Sequence, residues 1–236
     1  MGKVALVTTS DIPRVQEGVF FSFAPSLPRG RHPMTREEVL VIQRERIMVA
    51  FVELIAAHGY NAVNVGHVVS RAGVSRSAFY ECFDGPEGCA IACYERFTEV
   101  MLALVGAGLA ASDDREIWVS SAVEAYLGTL QKDLVVAKAV LIEMDAAGAP
   151  ARQRRRSAIV RYAEVIAARY EEFRAHDKQL GHLSLSAHLS SVYAIRQLAC
   201  DALEDEDTPD LLALAPDVNR WIAARDVGSG IVAASD

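Results

Sequence analysis

RERIMVAFVELIAAHGYNAVNVGHVVSRAGVSRSAFYECFDGPEGC, residues Arg44 to Cys89, is the stretch that decides the fold. Ile47, Phe51, Leu54 and Ile55 recur at helical spacing until His58-Gly59 closes the run. Upstream, Thr35 with Glu38 three residues later is a capping-box pattern, so the spacing predicts a first helix over about Arg36 to His58. Asn64 can cap a short second helix in which Val65, Val68, Val69 and Ala72 share a face, and Gly73 breaks it after two turns. Ser75 is an N-cap candidate directly after the turn and opens a third helix, Arg76 to Cys82, whose Phe79 and Phe83 can pack back on the first two. The order is helix, short helix, tight turn, helix.

Outward from this unit the pattern stays helical. Asp84-Gly85-Pro86 reads as a stop followed by a start, with Pro86 near the first helical position, where its missing N–H costs nothing. Helices are predicted at about Pro86 to Ala110, Arg115 to Lys132, Leu134 to Ala147, Ala151 to His176, Leu185 to Leu203 and Pro209 to Arg225. Residues 1–33 hold four of the eight prolines and no sustained period, so they are expected to be an irregular or disordered basic arm. The domain expectation is a trihelical head over 34–84, a helical domain over 85–226 and a flexible tail over 227–236. There is no internal repeat and no convincing strand.

Composition agrees with an all-α chain. Of 236 residues 51% are hydrophobic but only 7% aromatic, with Ala, Val and Leu filling the apolar positions. The longest uninterrupted apolar or Gly run, Val100 to Ala111, is well short of the roughly 20 residues that cross a bilayer. The opening residues lack the apolar core of a secretory signal, so a cytoplasmic protein is expected. Cys82, Cys89, Cys93 and Cys200 are too few and too clustered for a disulfide framework. The net charge of -7 argues against polyanion partners only if it is spread evenly, and it is not: the first 100 residues are near balance, and Arg29, Arg31 and Arg36 stand together with no acid until Glu37.

In a helix-turn-helix the helix after the turn enters the major groove and its first residues reach base edges. Here it would present Arg76, Ser77 and Tyr80: Arg76 suits guanine or phosphate, Ser77 and Tyr80 suit phosphate oxygens. The competing reading of these residues alone is a trihelical packing unit with a solvated arginine. The stretch resembles the DNA-binding domain of the TetR family of transcriptional repressors. The matching features are Gly59-Tyr60 at the end of a helix, Ala72-Gly73-Val74-Ser75 at the turn, Tyr80 to Phe83 at the end of the recognition segment, and Glu87 opening the fourth helix. The resemblance implies DNA contacts from Asn64, Ser75, Arg76, Ser77 and Tyr80, with Arg29 and Arg31 reaching the backbone or a minor groove. This chain departs from the family at Val63 and Asn64, where Thr is usual, at Cys82, and at Pro86, where a phosphate-binding Lys is usual; losing that Lys lowers the salt slope by about 1.

The resemblance further implies a homodimer that binds a palindromic operator and is released, as a repressor, by a small-molecule effector in the second domain. From the residues, Trp118, Tyr126, Met144, Tyr162 and Tyr170 among many Ala and Val can enclose a pocket or simply fill a core. Glu143 or Asp145 can anchor a ligand or be a solvated or paired carboxylate, and the candidate ligand residues are Trp118, Tyr126, Glu143, Met144 and Tyr162. Leu189, Val192, Ile195, Leu198 and Ala199 are expected on a dimer face built from the last two long helices. No cofactor, metal site or catalytic residue is expected: Cys89 and Cys93 lack partners at zinc spacing, and His176, His182 and His188 read as surface or capping residues. Two other readings stay open, a helical small-molecule-binding or protein-interaction protein that has lost specific DNA binding, and an enzyme on a helical bundle.

Overall fold

The structure, a computed structural model, describes residues 12–23, 34–109, 112–177, 179–206 and 208–232. These residues form nine α-helices and no strand: α1 Arg36–His58, α2 Val65–Ala72, α3 Arg76–Cys82, α4 Pro86–Leu109, α5 Arg115–Lys132, α6 Leu134–Leu141, α7 Ala149–His176, α8 Leu185–Asp205 and α9 Ala215–Val232. They fall into two compact units. The first comprises Met1–Arg96 with Asp133–Arg152, and the second Phe97–Lys132 with Gln153–Asp236. Both α4 and α7 therefore have residues in each unit.

Helix starts follow local chemistry. Thr35 accepts from the Glu38 N–H while the Glu38 carboxylate takes the Thr35 N–H at 2.7 Å, the full capping box. Asp133 caps α6 and Ser184 caps α8 in the same way, each side chain accepting from the N–H three residues on. Two expected helices are interrupted. Over Leu134 to Ala147 the α-helix stops at Leu141 and a 3-10 turn, Glu143–Ala147, follows, with the Glu143 carboxylate accepting the Tyr60 N–H at 3.3 Å. Over Pro209 to Arg225 a 3-10 turn at Leu211–Leu214 precedes α9, because Pro216 has no N–H to continue an α-helix from residue 212 but fits the first turn of a new one. At its far end α9 runs on to Val232, so Gly228-Ser229-Gly230, expected in a flexible tail, continues the helix: each Gly costs about 1 kcal/mol against Ala, which weakens but does not forbid it.

In the first unit α1 is the central element. Its C-terminal half, Ile47 to Ala56, is buried almost without interruption because α2, α3, α6 and the segment 12–23 all pack on it. That segment, expected to belong to an irregular or disordered arm over 1–33, is largely irregular in backbone yet tied to the core. Val15, Phe20 and Phe21 are buried, and the N–H groups of Val15, Gln16 and Ser22 go to Glu53, Asp133 and Glu45. Burial of Val15, Phe20 and Phe21 outweighs the entropy of an untethered segment.

The second unit is built from α5, α7, α8, α9 and the end of α4. Its core holds Trp118, Val123, Leu127 and Leu130 from α5, Ile159, Tyr162 and Tyr170 from α7, and Ala199 and Leu203 from α8. No described helix is long and apolar enough to cross a membrane.

Candidate nucleic-acid interface and enclosed cavity

The turn between α2 and α3 rests on Gly73, which is left-handed at φ 64° and ψ 40°. Its N–H and that of Val74 both return to the Val69 carbonyl, closing α2. Two residues later the Ser75 hydroxyl accepts the Ala78 N–H at 3.1 Å and opens α3. On the inner side of α3 the ring of Phe79 is fully buried and lies 5.8 Å from that of Phe83. The Arg44 guanidinium covers Phe83 at 4.4 Å and donates to the Cys82 carbonyl. One face of α3 is thus anchored and the opposite face is free to read a ligand.

That free face carries Ser75, Arg76, Ser77 and Tyr80, all exposed, Tyr80 at 58%. Asn64 is also exposed and caps α2 through the His67 N–H, with His67 returning the bond to the Asn64 N–H. Gly66 was not singled out by sequence, yet a Cβ there would meet the Arg76 guanidinium at 3.2 Å, so the bare backbone lets Arg76 lie across the first turn of α2. Arg29 and Arg31 lie outside the described residues. Beneath the interface Glu53, 5% exposed, pairs with Arg71 at 2.6 Å and fixes α2 to α1.

The second unit holds a partly open cavity of about 90 Å³ lined almost wholly by apolar surface. Trp118, Tyr126 and Tyr162 line it, as do Val192 and Ile195. Glu143 and Met144 do not: the 3-10 turn that carries them belongs to the first unit, where Glu143 holds the Tyr60 backbone and Met144 is buried. The residues expected on a dimer face fall on different sides of α8. α8 turns Val192, Ile195 and the fully buried Ala199 inward, leaves Leu189 half-buried and exposes Leu198. A helix with apolar residues on more than one side does not declare which stripe is inside. The exposed large apolar side chains on α8 and α9 among the described residues are Leu185, Tyr193, Leu198 and Trp221.

The polar end of the cavity was not foreseen. His188 is 1% exposed rather than a surface residue, with its ring edge against Tyr170 at 5.3 Å. Arg225 and Asp226 of α9 join it, and the Asp226 carboxylate, 1% exposed, is shared by Arg115 and Arg225 at 2.6 Å each. Arg225 also donates to the Ser191 hydroxyl and the Ala187 carbonyl. Burial, and secondarily the Arg225 charge, holds the His188 imidazole below its ordinary value. The signal that could have found this cluster is adjacent Arg225-Asp226 near the end of an otherwise mixed helix. Burial pushes the Cys89 thiol well above its ordinary range, so it is a weak nucleophile. No group of three or more His, Cys, Asp or Glu that could hold a metal occurs among the described residues.

A trihelical base with an exposed, capped third helix, followed by further helices with a cavity, is the arrangement of a helix-turn-helix head joined to a helical domain. Residues 47–93 match the family model of bacterial regulatory proteins of the tetR family. Among solved structures the chain resembles the fatty acid degradation regulator FadR of Bacillus halodurans, with TM-score 0.69, 17% identity, and coverage of 82% of this chain and 96% of that one. It resembles FadR of Bacillus subtilis in complex with stearoyl-CoA with TM-score 0.68 and 17% identity, covering 75% and 96%. A TetR-family transcriptional regulator of Pectobacterium atrosepticum gives TM-score 0.60 and 17% identity, covering 83% and 97%. No curated protein matches the chain in sequence. The chain thus carries a head that matches the tetR-family model over residues 47–93 and shares the fold of these solved regulators.

Proposed function

We propose that this regulator binds a palindromic operator as a homodimer, acts as a repressor, and is released by a small molecule that enters the cavity of the second unit. The observation that carries the reading is the division of labour on α3, with Phe79 buried at its base and Ser75, Arg76, Ser77 and Tyr80 exposed on its free face. A packing unit without a ligand has no need of an exposed Tyr beside an Arg that lies across a glycine. Arg76 is the base-reading residue, and Ser75, Ser77, Tyr80 and Asn64 position the head on phosphates. Arg29 and Arg31 precede α1 in the chain and supply further charge for the backbone or the minor groove.

The exposed Leu185, Tyr193 and Leu198 of α8 and Trp221 of α9 provide apolar side chains for a symmetric seam between two copies. Trp118, Tyr126 and Tyr162 are the effector contacts, and the complex of Bacillus subtilis FadR with stearoyl-CoA supports placing an effector in this class of fold. An effector that favours a dimer state whose recognition helices miss the roughly 34 Å half-site spacing releases DNA, and DNA weakens effector binding by the same factor. Because α4 and α7 each have residues in both units, a shift of either helix is felt in both. The test is footprinting on the DNA flanking the gene. The expected result is a protected segment with two-fold symmetry; no protected segment at low or moderate salt contradicts the reading.

A further inference from the structure

Two cations of the first unit stand beside the turn that opens α3 without a protein counter-charge. Arg46 of α1 is half-buried, and one of its guanidinium nitrogens lies 2.8 Å from where a Cβ on Gly73 would stand. Gly73 is itself exposed and precedes Ser75, the cap of α3, by two residues. Arg14, exposed, comes from the segment 12–23, and its backbone is fixed by the next residue: Val15 is 2% exposed and its N–H goes to Glu53 at 3.3 Å. Arg14 and Arg46 line one open hollow of about 420 Å³ with Phe23 and with Ser70 near the end of α2. Among the described residues neither guanidinium has a hydrogen bond or an ion pair. The neighbouring acids of α1 are answered elsewhere, Glu53 by Arg71 at 2.6 Å and Glu45 by Arg96 at 3.2 Å and the Ser22 N–H at 2.9 Å. Glu17, the acid that follows Arg14 in the segment, does not line the hollow. Its wall therefore sets three guanidinium groups, those of Arg14, Arg46 and Arg71, against the single carboxylate of Glu53.

Position names the partner. The major groove is about 12 Å wide, and a helix that enters it by its N-terminal end leaves the flanks of that end against the phosphates that wall the groove. A cation held beside the α2–α3 turn meets those phosphates, while the base edges are left to α3. Resting on the reading of α3 as the recognition helix, we infer that Arg14 and Arg46 bind backbone phosphates of the operator duplex, so that the segment 12–23 is a built part of the DNA interface. Arg46 acts from a rigid helix. Arg14 acts from a segment already held by the burial of Val15, Phe20 and Phe21, so its charge is delivered without the ordering cost of a free arm. The planar guanidinium fork matches two phosphate oxygens at once. Contacts of this kind add affinity and fix orientation, and they carry no sequence information.

The test titrates salt against binding of the full chain to the DNA flanking the gene and to random duplex, for the wild type, Arg14→Ala, Arg46→Ala and the double variant. The slope of log affinity against log salt counts the phosphates neutralised, about 0.9 for each, so a merely structural role does not move it. Each single substitution is expected to lower the slope by about 0.9 and the pair by about twice that, with affinity falling by the same factor on both duplexes. Arg46→Lys keeps the charge and is expected to keep the slope, and Gln replaces Ala at either position should the thermal unfolding midpoint fall. Arg161→Ala, on the exposed side of α7, removes an equal charge and is expected to leave the slope in place. Inorganic phosphate, exchanged for chloride at constant ionic strength, is expected to displace DNA equally from the wild type and the double variant. A slope unmoved in the double variant, or a loss confined to flanking DNA, overturns the inference and leaves the regulator reading intact. Phosphate competition present in the wild type and lost in the double variant makes the hollow a site for the free anion and overturns it too. No salt-dependent binding of the wild type to either duplex removes the regulator reading and this inference together.

Discussion

Glu53 is the residue on which the head depends. It stands in the apolar run Phe51-Val52-Glu53-Leu54-Ile55, is 5% exposed, receives two bonds from the Arg71 guanidinium at 2.8 and 2.6 Å, and accepts the Val15 N–H at 3.3 Å. A buried carboxylate persists only when its charge and lone pairs are answered in this way. Glu53→Ala is expected to cost about 3 kcal/mol of unfolding free energy in urea, because the buried guanidinium loses its counter-charge; a loss within experimental error would mean that Arg71 reaches solvent freely. The capping residues Thr35, Asn64 and Ser75 and the break at Gly73 are legible in the sequence because their chemistry acts within three or four residues. Glu53, His188 and Asp226 are not, since Arg71 lies 18 residues from Glu53, Arg115 lies 111 residues from Asp226, and His188 packs on Tyr170 of another helix. The available signal was an ionisable side chain inside an apolar pattern.

At the scale of elements, α6 and the segment 12–23 are joined through one side chain. Asp133 caps α6 through the Val136 N–H at 3.1 Å and accepts the Gln16 N–H at 2.8 Å, at 1% exposure. Asp133→Ala removes both acceptors and is expected to destabilise the protein by about 2 kcal/mol while speeding hydrogen exchange at the Val15 and Gln16 amides. Unchanged exchange there would show that apolar burial alone holds the segment. Burial raises the Asp133 carboxyl above its ordinary value, outweighing the hydrogen bonds and joined by the Glu53 charge. The contribution of this group is therefore fully present below the unfolded carboxyl value and is lost as pH rises through the folded one. Asp133→Asn, which cannot ionise, should gain on the wild type as pH rises from about 4, and a constant difference between the two would contradict that sign. Helix order was readable from periodicity, but the interruptions at Ile142 and before Pro216 depend on a tertiary bond and a missing N–H. The inward stripe of α8, His188-Val192-Ile195-Ala199, is equally invisible until its neighbours are in place.

For the whole molecule, the segregation of the chain into two units crosses the sequence order. Residues 133–152 belong with the head although the stretches on either side, Phe97–Lys132 and Gln153–Asp236, belong to the second unit, and this follows from packing of α6 on α1 rather than from any linker composition. The regulator fold was legible because three short helices with a capped glycine turn leave few alternatives, whereas the polar end of the cavity required three helices to converge. The account stands on Arg76 as a reader of operator bases carried by a rigid head. The most direct test is a salt titration of binding to the DNA flanking the gene, beside random duplex, for the wild type and Arg76→Ala. The account predicts a clear preference of the wild type for flanking DNA and a loss of about tenfold or more in that preference on substitution. It also predicts an unchanged unfolding midpoint, because Arg76 is exposed. Equal weak binding to both duplexes, unmoved by the substitution, would contradict it.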